Sequence, residues 1–473
     1  MPGMRRASFS AWALPACTLA VLASGPVWAT NQSTWPVLVG VSFLGATGLL
    51  LLWRRNTLSV RAVLLGALVL RLAYLPLGPG LTDDLFRYIW DGWLQWEGIS
   101  PYKFAPSAPE LSAFQETPLY EKLNSKEYFS VYPPLSQLFF ALGGYFYEGG
   151  WETSYYVLKV LFMGVEIGGV ALLTRLAPPQ NVLLYAWNPL VLVETAGQGH
   201  IEALLVPLLL AALWAVRRRH GGTASLAVAG AGLVKIYPFA LGPFLLRRFD
   251  WRDMWPGALL VVVLSLPYAA PYTLPHIKAS VDLFAELFEF NAGPYYAVKH
   301  MLWAWTGADW SKTIGPLFRG VFLASLPLLY ALDAWQDWSF RRACLWVLGV
   351  LFVFSTTVHP WYLLPVLALA VMGPRPSWHW LWLGVCSIGT YLFYADGPYW
   401  AWIWAGWGGA GLIFWLATTG RGCVVPCPAT TGRRRLPLRS DFHSGPVLAF
   451  SLGPRRLSRG RLASGTRRSD ETT

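Results

Sequence analysis

The stretch from Thr82 to Tyr102, TDDLFRYIWDGWLQWEGISPY, sets carboxylates, an arginine and several aromatics directly after an apolar run. A carboxylate can take the proton of a hydroxyl nucleophile, and a nearby cation can hold the charge of a departing anion, so these types suit group transfer. On a helix starting near Thr82, Asp84, Arg87 and Asp91 fall at i, i+3 and i+7 and share one face. Thr82, Asp83 and Asp84 favour its N-terminus. Trp90, Trp93, Trp96 and Tyr102 make the segment amphipathic, able to rest at a membrane surface. The plainer alternative is a capped, solvated interfacial helix.

Other polar residues recur at the mouths of apolar runs. In Lys235-Ile236-Tyr237-Pro238, Pro238 cannot continue a helix, so the run over residues 223–246 reads as a hairpin with Lys235 at its apex. A lysine at that depth calls for an anionic partner, either a ligand or a structural carboxylate. Gly199-His200-Ile201-Glu202 opens another run, with Glu202 near the positive end of the helix dipole. His359-Pro360-Trp361-Tyr362 forms a third mouth, and Phe290 to Tyr296 offers Tyr295 among aromatics that stack on sugars or form an interfacial belt. Tyr132-Pro133-Pro134 and Asn188-Pro189 read as turn and kink chemistry.

The elements that must position these residues are helices in lipid. Charged residues make up 13% of the 473 residues and hydrophobic ones 55%, at a mean hydropathy of +0.42, the composition of a multispanning membrane protein. Apolar runs near 8–28, 35–53, 60–78, 132–147, 155–175, 181–197, 200–216, 223–246, 254–272, 316–332, 342–358, 361–373, 378–395 and 399–418 predict an all-α bundle of roughly a dozen transmembrane helices with a large first outer loop. The first run follows Arg5 and Arg6 and reads as a signal peptide or an anchor. Residues 1–59 thus form N-terminal membrane helices, 60–418 one membrane domain, and 419–473 a basic tail.

That tail carries eleven arginines against Asp441, Asp470 and Glu471, and so supplies +8 of the net charge of +12. With the charge confined there, in a segment without apolar periodicity, the balance gives no nucleic-acid signal and the tail reads as disordered. The scattered Cys17, Cys344, Cys386, Cys423 and Cys427 predict neither a disulfide framework nor a zinc site.

Basic clusters at Arg54, Arg55 and Arg61, at Arg217 to Arg219, at Arg247, Arg248 and Arg252, and at Arg341 and Arg342 mark the cytoplasmic side. Residues 79–131, 273–315, His200, His359 and Asp396 then share the outer face. One conflict follows: with Arg175 inside and residues 79–131 outside, the run 132–147 has no full crossing. It is either re-entrant or Arg175 lies outside.

In order along the chain stand TDDLFRYIWDG with EGISPY, YPP, YAWNPLVLVETAGQGHIEALL, LVKIYPFALGPFLLRR and VHPWYLLP. This series resembles the integral-membrane glycosyltransferases of the GT-C class, and within it the bacterial polyprenyl-phosphate-mannose-dependent mannosyltransferases, over residues 60–418. The resemblance implies transfer of a hexose, mannose by preference, from a polyprenyl-phosphate-sugar donor to an envelope glycolipid or glycan acceptor. The reaction would run with inversion on the non-cytoplasmic face of a multi-pass protein of the cell inner (plasma) membrane. It assigns the general base to Asp84, with Asp83 the close competitor, and the departing phosphate to Lys235, Arg87 and His359. Substrate contacts fall to Asp91, Tyr102, His200, Glu202, Tyr237 and Tyr295. Where the family writes Gly-His-Asn-Asp, this chain has Ile201 and Glu202 in the last two places. No cofactor is implied, although Asp83 and Asp84 with water could hold a divalent metal. A lipid-linked-glycan transporter or flippase is the rival reading; it predicts polar residues on both faces and an internal repeat.

Overall fold

A computed structural model describes residues 6–286 and 288–419. The tail after Thr419, with Cys423 and Cys427, lies outside the described residues. Within them the chain is all-helical, and the one ladder contact is an isolated bridge between Phe290 and Thr357. We label the elements the site depends on as α1 (Arg6–Ala23), α2 (Trp35–Arg55), α3 (Val60–Tyr74), α4 (Asp84–Trp96), α5 (Pro134–Gly144), α6 (Trp151–Leu173), α7 (Glu202–Arg217), α8 (Gly221–Val234) and α9 (Ser311–Gln336).

Among the described residues, unbroken helices long and apolar enough to span a bilayer are fewer than the roughly dozen apolar runs. Three are long and apolar enough among the described residues, Gln32–Arg55, Trp151–Leu173 and Ser311–Gln336, or five if two bent pairs each count as one span. The bent pairs are Pro189–Gly197 with Glu202–Arg217, at 116°, and Trp251–Tyr268 with Thr273–Asp282, at 100°. Proline and glycine account for the difference, because they cut single apolar runs into short helices. The run near 181–197, for instance, becomes Pro179–Ala186, a turn begun by Pro189 and a π-turn over Val193–Gly197. The protein is an all-helical membrane protein with several broken spans.

The ends of the helices sort by chemistry. At 16 residues, α7 is about 24 Å long and holds Glu202 and Arg217 at opposite ends. Arg217 donates to the Leu176 carbonyl just beyond α6 at 2.8 Å. At the other end of α6, Trp151 packs edge-on against Phe86 of α4, with ring centroids 5.1 Å apart. So α6 runs from the carboxylate loop to the arginine end. The conflict over residues 132–147 is thereby resolved: α5 has 11 residues, about 16 Å, too short for a crossing, and both its ends stay on the loop side.

Instead of crossing, α5 lies against α4. A Cβ added to Gly92 would stand 1.9 Å from the Phe140 carbonyl oxygen, and one added to Gly144 would stand 2.2 Å from the Gly92 carbonyl carbon. Backbone meets backbone there, and only glycine permits it. The stacked rings of Tyr88 and Phe140, 4.4 Å apart and 6° from parallel, fix the register. The first apolar run also packs inside the bundle: Leu22 and Thr18 of α1 sit over Gly45 and Gly48 of α2.

Deep between α3 and α6, Arg71 and Glu166 form a two-pronged ion pair at 2.5 and 2.7 Å with both side chains at most 1% exposed. The remaining guanidinium nitrogen donates to the carbonyls of Ala186 and Ala67 at 2.7 and 3.1 Å. Glu166→Ala is expected to leave that buried guanidinium uncompensated and to cost roughly 3–5 kcal/mol. Thermal unfolding in detergent checks this; an unchanged midpoint would mean that the pair does not hold α3 to α6.

Candidate functional site

Five segments far apart in sequence converge beside the N-terminus of α4. Asp83 precedes that helix and Asp84 opens it. The Thr82 hydroxyl is 3.2 Å from His200 Nε2, and Asp84 Oδ2 is 4.0 Å from the same nitrogen. His200 sits in the bend between the π-turn and α7, one residue before Ile201 and two before Glu202. Gly199 before it has φ +72° and lies so close to Leu85 that an added Cβ would stand 2.5 Å from Leu85 Cδ1, so the bend needs a glycine there.

Lys235 follows the last residue of α8 in extended conformation, with φ −141° and ψ 142°. The chain breaks at this point, as the proline-containing sequence predicts, and the Lys235 ammonium pairs with the Glu202 carboxylate. It also lies 3.8 Å from the centroid of the Tyr362 ring, a cation–π contact. Glu202 is fully buried whereas the Lys235 side chain stays 16% exposed, so the lysine is the part of the pair that a ligand can reach. The anionic partner that the sequence calls for is therefore a carboxylate of this chain.

Trp361 links two histidines. It stacks on His200 with centroids 4.0 Å apart and on His359 with centroids 4.3 Å apart, within 10° and 2° of parallel. Phe290 continues the stack on the far side of His359 at 4.9 Å. Several buried polar atoms in this neighbourhood have no hydrogen-bond partner: Gln198 Nε2, His200 Nδ1, Glu202 Oε2 and Tyr237 Oη. Buried polar groups are normally satisfied, and these four lie on the segments that carry the charged cluster.

Burial pushes the Asp84 carboxyl up to about 6, with His200 and Lys235 pulling it down and Asp83 and Glu202 pushing it further up. Burial also raises Asp83, offset in part by the amide of Asn124, which donates to its carboxylate. Asp84 keeps a quarter of its side chain exposed, at 25%, and of the two it is the one facing His200.

Other predicted residues stand apart from this cluster. Arg87 gives Nε to Asp91 at 2.7 Å and Nη1 to the Tyr128 and Ser125 carbonyls at 2.9 and 3.2 Å. Asp91 is closed in by that contact and by Ser130 and Gln137, whose amide donates to it at 3.0 Å. The pair thus staples the loop over 125–130 to α4. The Tyr102 hydroxyl donates to the Tyr132 carbonyl at 2.5 Å, and its ring lines an apolar cavity of about 550 Å³ with Ile236, Phe239 and Tyr268. Tyr295 belongs to a second hydrophobic cluster with Phe318 and Ile403, where its hydroxyl donates to Glu289 at 2.6 Å.

Two residues that sequence reasoning passed over complete the site. Glu194 lies in the π-turn with Oε2 3.0 Å from His200 Nδ1, and Tyr391 donates to both of its oxygens at 2.8 and 3.0 Å. A glutamate inside an apolar run was the available signal. Among the described residues, no group of three or more His, Cys, Asp or Glu is placed to hold a metal ion.

Residues 4–248, about half of the chain, match the family model of the alpha-(1->6)-mannopyranosyltransferase N-terminal domain, the MptA_B family. No curated protein and no solved structure matches the chain.

Because Arg87 spends its donors on the loop, Arg87→Ala is expected to release residues 125–130 and to speed their cleavage by an added protease several-fold, with the membrane bundle unaffected. Cleavage at the wild-type rate would mean that the loop is held by other contacts.

Proposed function

From a chain that belongs to the alpha-(1->6)-mannopyranosyltransferase family, and is thus a mannosyltransferase, we propose an enzyme that moves mannose from a polyprenyl-phosphate donor to a hydroxyl of an envelope glycolipid or glycan. Transfer would take place on the non-cytoplasmic face of the inner membrane, within a GT-C-like bundle. The single observation that carries this reading is the meeting of Asp84, His200, Glu202 and Lys235 at the loop end of the bundle, opposite the arginines. By the positive-inside tendency, the arginine end faces the cytoplasm.

The chemistry follows from these groups. The Asp84 carboxylate takes the proton of the acceptor hydroxyl as its oxygen attacks the anomeric carbon. The bond from that carbon to the phosphate oxygen breaks, and the lipid phosphate leaves with the electron pair. A direct displacement of this kind inverts the anomeric centre, so an alpha product requires a beta-linked donor. The family's alpha-(1->6) linkage further specifies a primary 6-hydroxyl as the nucleophile. Lys235 is the cation best placed for the leaving phosphate, because its side chain retains exposure while Arg87 is committed to the loop. His359 packs edge-on against Tyr362, the ring beneath Lys235, with centroids 5.3 Å apart. Glu202 Oε2 and Tyr237 Oη, buried and without a hydrogen-bond partner, lie behind Lys235 on the side away from the phosphate.

Purified protein in detergent, given radiolabelled polyprenyl-phosphate-mannose and an extracted envelope glycolipid pool, tests this directly. Asp84→Asn is expected to lower transfer by roughly 10²-fold or more; full activity in that variant would move the base elsewhere. The pH dependence has a definite sign. A base whose carboxyl titrates near 6 is protonated below that value, so kcat/KM should fall as pH drops through about 6. A profile flat down to pH 4.5 would contradict Asp84 as base. Lys235→Ala should raise the donor KM by about tenfold with the acceptor KM unchanged, and an equal rise in both would argue against a phosphate contact.

A further inference from the structure

Glu194 is a carboxylate in the π-turn of a broken span, fully buried, and no step of the transfer above uses it. Its surroundings are specific. Tyr391 donates to both oxygens, the backbone N–H of His200 donates to the Glu194 carbonyl at 2.9 Å, and Oε2 stands 3.0 Å from the imidazole Nδ1. That last contact is within hydrogen-bond distance but not aligned for one, and Nδ1 has no other partner. The opposite nitrogen, Nε2, faces Thr82 and Asp84. Imidazole thus stands between two carboxylates, one deep and tethered, the other at the reacting end.

We propose that Glu194 is a positioning residue that holds the Nδ1–H form of His200, so that Nε2 is free to receive the proton that Asp84 takes from the acceptor hydroxyl. The idea rests on the reading of Asp84 as the base. The step balances without a further reactant: the acceptor O–H proton passes to the Asp84 carboxylate, then to His200 Nε2. Asp84 is an anion again, and the imidazolium lies between Glu194 and Asp84 until it returns the proton to water. A carboxyl held 3.0 Å from one ring nitrogen biases which nitrogen carries the hydrogen. Stacking on Trp361 holds the ring plane. The other charged or titratable groups facing His200 are Asp84 of α4, Glu202 of α7, Lys235 after α8 and His359 across Trp361. Lys235 is neutralised by Glu202, which leaves Glu194 and Asp84 as the carboxylates that bear on the ring.

The test is a double-mutant cycle on the full-length protein with the polyprenyl-phosphate-mannose assay, using Glu194→Gln, His200→Gln and the pair, beside Asp84→Asn. Glu194→Gln should lower kcat by roughly 10²-fold at unchanged donor KM. In the His200→Gln background the same substitution should change kcat less than twofold, because Glu194 acts through His200. A full loss on top of His200→Gln, or a raised donor KM at unchanged kcat, would overturn the proposal and leave Glu194 a structural anchor. If Glu194→Gln does not fold, Tyr391→Phe carries the same cycle: it should lower kcat several-fold in wild type and be silent beside His200→Gln, and additivity there overturns the proposal. Should Asp84→Asn retain full transfer, the reading of the base fails and the relay with it. Loss in Asp84→Asn with wild-type kcat in Glu194→Gln sinks the relay alone.

Discussion

Everything at the site depends on one bend, where Gln198 to Ile201 turn an apolar run through 116° between the π-turn and α7. A break at membrane depth is tolerated only when its freed backbone groups find partners. Here they do so locally: the N–H groups of Gln198, Gly199 and His200 donate to the carbonyls of Val193, Thr195 and Glu194 at 2.8, 3.0 and 2.9 Å. The Gln198 side-chain oxygen then accepts from the N–H groups of Leu81 and Thr82 at 3.2 and 3.3 Å, and so ties the start of the carboxylate loop to the same bend. His200, Glu202 and Asp84 are near one another because this turn is closed.

Charge in the bundle obeys a single rule with two outcomes. Ionisable groups that only hold helices together are fully matched: Arg71 with Glu166, Lys159 with the carbonyls of Leu75 and Leu77, and Arg247 and Arg248 with Asp333. Removing water from an ion is costly enough that each such group is given partners on every side. Around Lys235 the same accounting is left open, with Glu202 Oε2, Tyr237 Oη and Gln198 Nε2 unsatisfied and the lysine partly exposed.

Much of the site was legible in the sequence, because its residues sit at breaks in apolar runs, and breaks announce themselves by Pro238, Gly199 and Pro360. What was not legible follows from long-range packing. Glu194 lies inside a run and acquires its meaning only from Tyr391, 197 residues away in sequence. Arg87 and Asp91 share the predicted helix face, yet that face turns onto Ser125, Tyr128, Ser130 and Gln137, so a pair that reads as site chemistry serves as a loop staple. Tyr295 reads as a sugar-stacking aromatic and lands in a separate hydrophobic cluster. Unbroken helices are fewer than apolar runs for a related reason: hydropathy registers apolar length but not the points where proline and glycine end a helix.

The substitution of the family's Gly-His-Asn-Asp pattern by Gly199-His200-Ile201-Glu202 gains a physical sense from Lys235. Ile201 is fully buried and contributes packing alone, so the polar duties of the bend fall on its neighbours. Glu202 reaches Lys235 and fixes it over the Tyr362 ring, which sets where the ammonium stands. An ammonium has three donors, and a single carboxylate oxygen with one aromatic face leaves capacity for a phosphate oxygen on the exposed side. Glu202 thereby supplies position while its neutralising charge keeps the empty site from carrying an isolated buried cation. The arrangement parallels the contact of Glu194 with His200, a buried carboxyl held against a basic side chain, eight residues apart on the two arms of one bend.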